Sequence, residues 1–365
     1  MKNACLVIKL NNNAFFQAEN AEIIDKFAKN GYTFDEVRFS VYDETNLSQA
    51  IRDAEQYVEN LLVLCDNELF SRIEDILSQS NGRYVRSSAD TGMLVAQSFS
   101  LFLLGTENRA HCEEYIDGVC IPELVRKYKT RLDKLVVKTI GASKERVEEV
   151  LLRAKRLSGT ALAYTHKRLY DEDVIEVFYD LNTPRMLTDD VLRIFADGLH
   201  DYIYALDDST IEEQLVTLLK LRNKRLSIAE SFTGGGVARR IVSVSGASEV
   251  YFEGLNTYNE LSKMKRLGVR DYTLKSYGAV SDSTVYEMAA GLIATGDADI
   301  SIATTGIAGP KSDKTDAPVG LSYIAIGTRE KVFVFRFRFD GNRKEITEKA
   351  INHALFLAYR ELKNM

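Results

Sequence analysis

Apolar residues follow two rhythms along this chain. Short continuous runs at 4–10 and 61–65 predict buried strands, whereas spacing near 3.6 residues over 21–30 and 47–59 predicts amphipathic helices. Their alternation through residues 1–128 is the pattern of an α/β domain. Residues 129–205 read as a smaller α+β unit. It has a strand at 132–139, a helix at 143–157, a strand pair at 161–166 and 173–179 across a polar turn, and a helix at 187–205. Asp207-Asp208-Ser209 then caps a helix over 210–221 and marks the start of a third domain, 206–365.

The third domain changes character. Fourteen of the 22 glycines lie beyond residue 220. Ile228-Ala229-Glu230-Ser231-Phe232-Thr233-Gly234-Gly235-Gly236-Val237-Ala238 reads as a buried strand, a polar turn and a glycine-rich helix start, with the helix over 237–244. Consecutive glycines permit positive φ and close approach of a ligand. The helix start offers free N–H groups and a positive dipole end, which suit a phosphate or an oxyanion. Ser231 places a hydroxyl at the turn. Taken alone, its Ser and Thr would read as helix caps. A second apolar run, Ile302-Ala303-Thr304-Thr305-Gly306-Ile307-Ala308-Gly309-Pro310, also ends in a glycine-rich turn. The polar loop 311–316 follows, and Pro318-Val319-Gly320 opens another strand. In α/β sheets, turns at the carboxyl ends of strands flank the ligand crevice.

These residues carry a resemblance. From about 206 to 365 the chain resembles the C-terminal domain of the CinA (competence/damage-inducible protein A) family. The matching pieces are Glu230-Ser231-x-Thr233-Gly234-Gly235, Gly246-x-Ser248, Thr257-Tyr258 with Lys263, Gly278-Ala279-Val280-Ser281, Thr305-Gly306-Ile307-Ala308-Gly309-Pro310, Pro318-Val319-Gly320 and Gly341-x-Arg343. Several ordered matches in one stretch are far more specific than one glycine-rich loop. Phe232, Asn259, Glu260, Leu261, Ala317 and Asn342 depart from the family's usual residues. The resemblance implies a three-layer α/β/α domain that deamidates nicotinamide mononucleotide to nicotinate mononucleotide. It also implies a molybdopterin-binding-like fold for 1–128, a KH-like connector at 129–205, and a homodimer. The first domain lacks that family's glycine loop and clustered carboxylates: Leu10-Asn11-Asn12-Asn13 and Asp66-Asn67-Glu68 stand in their places. The expectation is an α/β domain without the metal-dependent ADP-ribose pyrophosphatase activity found in some members. The connector's Gly141-Ala142-Ser143-Lys144 lacks the second glycine of an RNA-clamping loop.

Composition narrows the chemistry. Hydrophobic content of 45% and charged content of 27% are those of an ordinary globular protein. A net charge of −6 argues against nucleic acid as a partner held by bulk electrostatics. No apolar run predicts a signal peptide or a membrane span, so the expected compartment is the cytoplasm. The four cysteines all precede residue 121, and the third domain has one histidine, His353. A Cys nucleophile and a His/Cys metal cluster are thereby excluded there, and no cofactor is expected. A Ser–His–Asp triad would need His353 to reach the turn. A Ser–Lys pair is the other acyl-transfer option.

In the reading that follows, Ser231 is the nucleophile and Lys263 its base, provided burial or a neighbouring cation such as Lys265 or Arg266 lowers the lysine pKa. Tyr258 relays the proton or binds the amide. The N–H groups of residues 232–235 form an oxyanion hole or else hold the phosphate. Thr233, Gly234, Gly235, Ser248, Thr305, Gly306, Ala308, Gly309 and Arg343 are the candidate substrate-binding residues, with Arg343 suited to phosphate by its forked donors. Glu230 has two readings, orienting the turn or stabilising the helix start by its charge. The competing class is a non-enzymatic scaffold linked to competence or DNA damage, and ammonia release separates the two.

Overall fold

The structure is a computed structural model that describes residues 2–10, 18–80, 82–96, 98–128, 132–180, 182–311 and 317–365. Asn11, Asn12 and Asn13 and most of the loop 311–316 lie outside the described residues. The chain divides into two compact units: Met1–Asp133 with Phe178–Thr183, and Lys134–Val177 with Pro184–Met365. The expected multidomain α/β class holds, and none of the described helices is long and apolar enough to cross a membrane.

The first unit is built on strands β1 (Asn3–Lys9), β2 (Glu36–Val41), β3 (Asn60–Cys65), β4 (Arg83–Arg86), β5 (Thr91–Val95) and β6 (Ser100–Gly105), in the order β2-β1-β3-β6-β5-β4. Strands β1, β2, β3 and β6 are parallel, and β4 and β5 add antiparallel. The continuous apolar runs are explained by burial on both faces. Leu6, Ile8, Val63 and Leu103 pack towards α2 (Glu44–Tyr57) and α3 (Asn67–Ser78). Val7, Leu62, Leu64 and Phe102 pack towards α1 (Ala18–Lys29), α4 (Arg109–Tyr115) and α5 (Ile121–Tyr128). Cys5, Cys65, Cys112 and Cys120 are buried free thiols of this core. Where β1 and β3 end, buried Lys9 places Nζ 2.8 Å from Asp66 Oδ1.

The second unit opens with a four-stranded sheet, β10-β7-β9-β8, formed by β7 (Leu132–Ile140), β8 (Ala163–Leu169), β9 (Glu172–Asp180) and β10 (Ile203–Ala205). Its helices are α6 (Lys144–Ser158), capped by Ser143, and α7 (Arg185–Leu199). The expected helix at 187–205 therefore ends early. Tyr202 N–H turns back onto Leu199 O, and residues 203–205 pair with β7 instead. Strands β8 and β9 meet at Tyr170 and Asp171, whose φ values of 52° and 60° make the tight left-handed turn that matches strand twist.

Helix α8 (Ile211–Leu221) is capped by Thr210 in a capping box with Glu213. The expected cap at 207–209 is instead a short turn in which Asp207 Oδ1 accepts the Ser209 N–H. The remaining elements are β11 (Leu226–Glu230), α9 (Gly236–Val242), β12 (Tyr251–Asn256), α10 (Glu260–Leu267), α11 (Asp271–Tyr277), α12 (Asp282–Ala294), β13 (Ile300–Gly306), β14 (Leu321–Thr328), β15 (Val332–Arg338) and α13 (Arg343–Lys363). The strands lie in the order β12-β11-β13-β14-β15, the first three parallel. Side-chain size alternates with the pleat. Ile228, Ile302, Ile324 and Ile326 face a thick layer of α8, α9 and α13, while Ala229, Ala303 and Ala325 let α10, α11 and α12 approach the other face closely. The result is three layers, with the carboxyl ends of β11 and β13 side by side.

Candidate active site

Strand β11 delivers Glu230 and then Ser231 to the carboxyl end of the sheet. Ser231 N–H donates to Thr304 O at 3.1 Å, and its carbonyl accepts Gly234 N–H at 3.1 Å, closing the turn. Gly234 and Gly235 take φ values of 62° and 95°, where a side chain would be strained. The turn is locked from beneath. The buried carboxylate of Glu230 accepts the N–H groups of Gly235 at 3.0 Å, Val237 at 3.1 Å and Ala238 at 2.8 Å. This corrects the expectation of a free helix start, because Glu230 already occupies the amino end of α9. The N–H groups of Phe232 and Thr233 are left without a hydrogen-bond partner among the described residues.

Helix α10, capped by Asn259, brings in Lys263. Lys263 is 1% exposed, and its Nζ lies 2.9 Å from Ser231 Oγ and 2.6 Å from Thr257 O. Burial lowers its pKa to about 8, against a small opposing pull from Glu260. Lys265 and Arg266 are exposed, so burial rather than a neighbouring cation supplies the lowering. A hydroxyl beside a buried amine that is easily neutralised is the arrangement that an activated serine needs.

The second turn packs against the first. Thr233 Oγ1 and Thr304 Oγ1 are 2.7 Å apart, and Thr305 Oγ1 donates to Ala279 O at 2.7 Å. Gly306 leaves room for the Phe232 ring, since a Cβ there would come within 2.9 Å of it. Phe232 packs with Ala308, Phe339, Ile346 and Ala350, so this departure from the usual small residue fills the core between the turns. Arg343 begins α13 and donates Nη1 to Gly309 O at 2.6 Å.

Two candidates stand apart. Tyr258 is 65% exposed, and its hydroxyl makes no hydrogen bond among the described residues. Ser248 is an exposed residue before the start of β12. Because β12 runs parallel to β11, with Tyr251 beside Leu226 and Asn256 beside Glu230, Ser248 lies at the opposite end of the sheet from Ser231 and does not join this site. His353 is also turned away. It is buried against Phe337 and Phe339, with Nε2 3.4 Å from Asp171 Oδ2. Two contributors were not among the candidates, Thr257 and Thr304. Strand register was the available signal, since Glu230 pairs with both Asn256 and Thr304.

The CinA C-terminal domain family matches residues 208–362. A putative competence-damage inducible protein of Caldicellulosiruptor saccharolyticus is 38% identical over 245 residues, which are 67% of this chain and 59% of that protein. A CinA-like protein of Fusobacterium nucleatum is 43% identical over 168 residues, 46% of this chain and 41% of the relative. The chain thus spans less than two thirds of the length of these relatives. Among solved structures, the competence/damage inducible protein CihA of Agrobacterium tumefaciens is 35% identical, covering 42% of this chain and 96% of its own, with a TM-score of 0.39. By the domain that holds Ser231 and Lys263, and by these relatives, the chain belongs to the CinA family.

Proposed function

We propose that this protein is an amidohydrolase that converts nicotinamide mononucleotide to nicotinate mononucleotide and ammonia. The observation that carries the reading is the buried contact of 2.9 Å between Lys263 Nζ and Ser231 Oγ. Neutral Lys263 takes the Ser231 proton as Oγ attacks the carboxamide carbon. The N–H groups of Phe232 and Thr233 receive the developing oxyanion. The resulting ammonium of Lys263 gives its proton to the nitrogen, the C–N bond breaks, and ammonia departs. Water, activated by the same amine, then hydrolyses the acyl-enzyme. Arg343 and the turn at 305–309 receive the phosphoribosyl end. With Glu230 filling the end of α9, Arg343 is the better phosphate ligand.

The test is incubation of the purified full chain with nicotinamide mononucleotide, with ammonia and nicotinate mononucleotide measured together. Equimolar appearance of both is expected. Their absence at high enzyme concentration would overturn the reading.

A further inference from the structure

One hydroxyl beside the Ser231–Lys263 pair has nothing to bond. Thr257 is 1% exposed, and its Oγ1 has no hydrogen-bond partner among the described residues. The surrounding threonines are all satisfied: Thr233 with Thr304, Thr305 by Ala279 O, and Thr284 by Gly278 O. Among the described residues of the second unit, Thr257 Oγ1 is the one buried side-chain oxygen or nitrogen left in this state. Its backbone is pinned on both sides, with N–H donating to Glu230 O at 2.8 Å and the carbonyl accepting Lys263 Nζ at 2.6 Å. A valine would fill the same space without an unmet hydrogen bond, so an orphaned hydroxyl at such a position points to a ligand.

We propose that Thr257 Oγ1 accepts an N–H of the carboxamide under attack and holds the leaving nitrogen beside Lys263 Nζ. The inference rests on the amidohydrolase reading above. Its chemistry follows from what the site otherwise offers. The N–H groups of Phe232 and Thr233 only donate, the ammonium of Lys263 only donates, and one lone pair of the Thr257 carbonyl is already engaged by that lysine. A carboxamide nitrogen carries two N–H groups that need acceptors. Thr257 is joined through its own carbonyl to Lys263 Nζ, so the residue stands beside the group that hands the nitrogen its proton. When Lys263 passes that proton on, the nitrogen carries three N–H groups and the electron pair of the breaking C–N bond stays with it. Thr257 itself neither gains nor loses a proton. An acceptor is worth most at that moment, so its contribution falls on kcat more than on KM.

The experiment compares wild type with Thr257→Val and, as an equally small pair differing in the hydroxyl, Thr257→Ser and Thr257→Ala. All are full chains assayed for ammonia release from nicotinamide mononucleotide and for thermal unfolding. Thr257→Val should lose about 10- to 100-fold in kcat with little change in KM, and its Tm should not fall. Thr257→Ser should keep most activity, and Thr257→Ala should lose as much as the valine variant. Wild-type kcat in Thr257→Val, or equal loss in the Ser and Ala variants, would overturn the inference and leave the amidohydrolase reading standing. An inert wild type would remove that reading and this inference together.

Discussion

Lys263 Nζ and Ser231 Oγ meet at 2.9 Å inside the protein, although 32 residues of chain separate them. The amine is there because α10 follows β12 closely and turns its first buried side chain towards the end of β11. Burial holds its pKa at about 8, below the 10.5 of an ordinary lysine. Below that value the amine is mostly an ammonium and cannot take the serine proton, so kcat/KM should rise with pH, reach half its maximum at about 8 and level off about a unit above. At pH 7 only about a tenth of the enzyme would be competent. A pH–rate profile of ammonia release checks this. An ascending limb near 10 instead would mean that the amine is not desolvated.

The same burial has a stability signature. The folded-state pKa of Lys263 lies below its unfolded value, so between about 8 and 10.5 the unfolded chain holds a proton that the folded chain has released. Stability from this group therefore rises with pH through that window and is absent below it. Lys263→Met removes a charge that is costly to keep inside at pH 7. It should lower kcat by at least ~10³ while raising, or at least not lowering, the Tm at pH 7. Thermal unfolding beside the activity assay reads both effects.

Ser231→Ala should lower kcat by at least ~10³ while substrate binding and the fold survive. Calorimetric titration with nicotinamide mononucleotide, together with turnover, separates the two. Near-full turnover would move the nucleophile elsewhere.

Glu230→Gln is not a silent change. The carboxylate satisfies three N–H groups with two oxygens. An amide has one acceptor oxygen and turns its NH₂ against a donor. Losing a hydrogen bond to a charged group costs about 1.5–3 kcal/mol. Denaturant unfolding should show a loss of that size, and the loosened Ser231 turn should lower kcat more than it raises KM.

In the first unit, the ammonium of buried Lys9 sits on Asp66 Oδ1 at 2.8 Å, and Leu10 N–H donates to Asp66 Oδ2 at 3.1 Å. A divalent ion would have to displace that resident charge, with few further carboxylates to replace it. The full chain should release no AMP from ADP-ribose with Mg²⁺, Mn²⁺ or Co²⁺, followed by chromatography of the nucleotides. Robust release that disappears in Lys9→Met would show that the pair serves a working site.

The strands and turns of this site were legible because two-sided burial writes continuous apolar runs, and because turns with positive φ demand glycine. Ser231, Thr305 and Arg343 could be placed on the strand ends and helix start that carry them. Lys263 was legible as a residue, but its lowered pKa was not, since burial depends on packing around α10. Ser248 shows the opposite failure: a matching motif does not reveal which end of a strand it precedes. Glu230 was legible as a group that orients the turn or charges the helix start, but its burial and its three N–H donors depend on how the turn folds back and were not. Strand β10 escaped notice because three residues cannot display a period.

The helix that begins with Arg343 at the site also carries, further along, Asn352 and His353. Asn352 Nδ2 donates to Tyr170 O at 2.9 Å, and His353 faces Asp171 at the tip of the β8–β9 hairpin. Ile140, Tyr204 and Ala205 belong to the same apolar cluster as α8 and α13. The match to the CinA C-terminal domain begins at residue 208, whereas the compact body that contains it begins near residue 134. A fragment cut at the family boundary would carry a raw face where the hairpin had been, with a buried histidine and asparagine suddenly facing water. The family domain and the compact body have different edges in this chain.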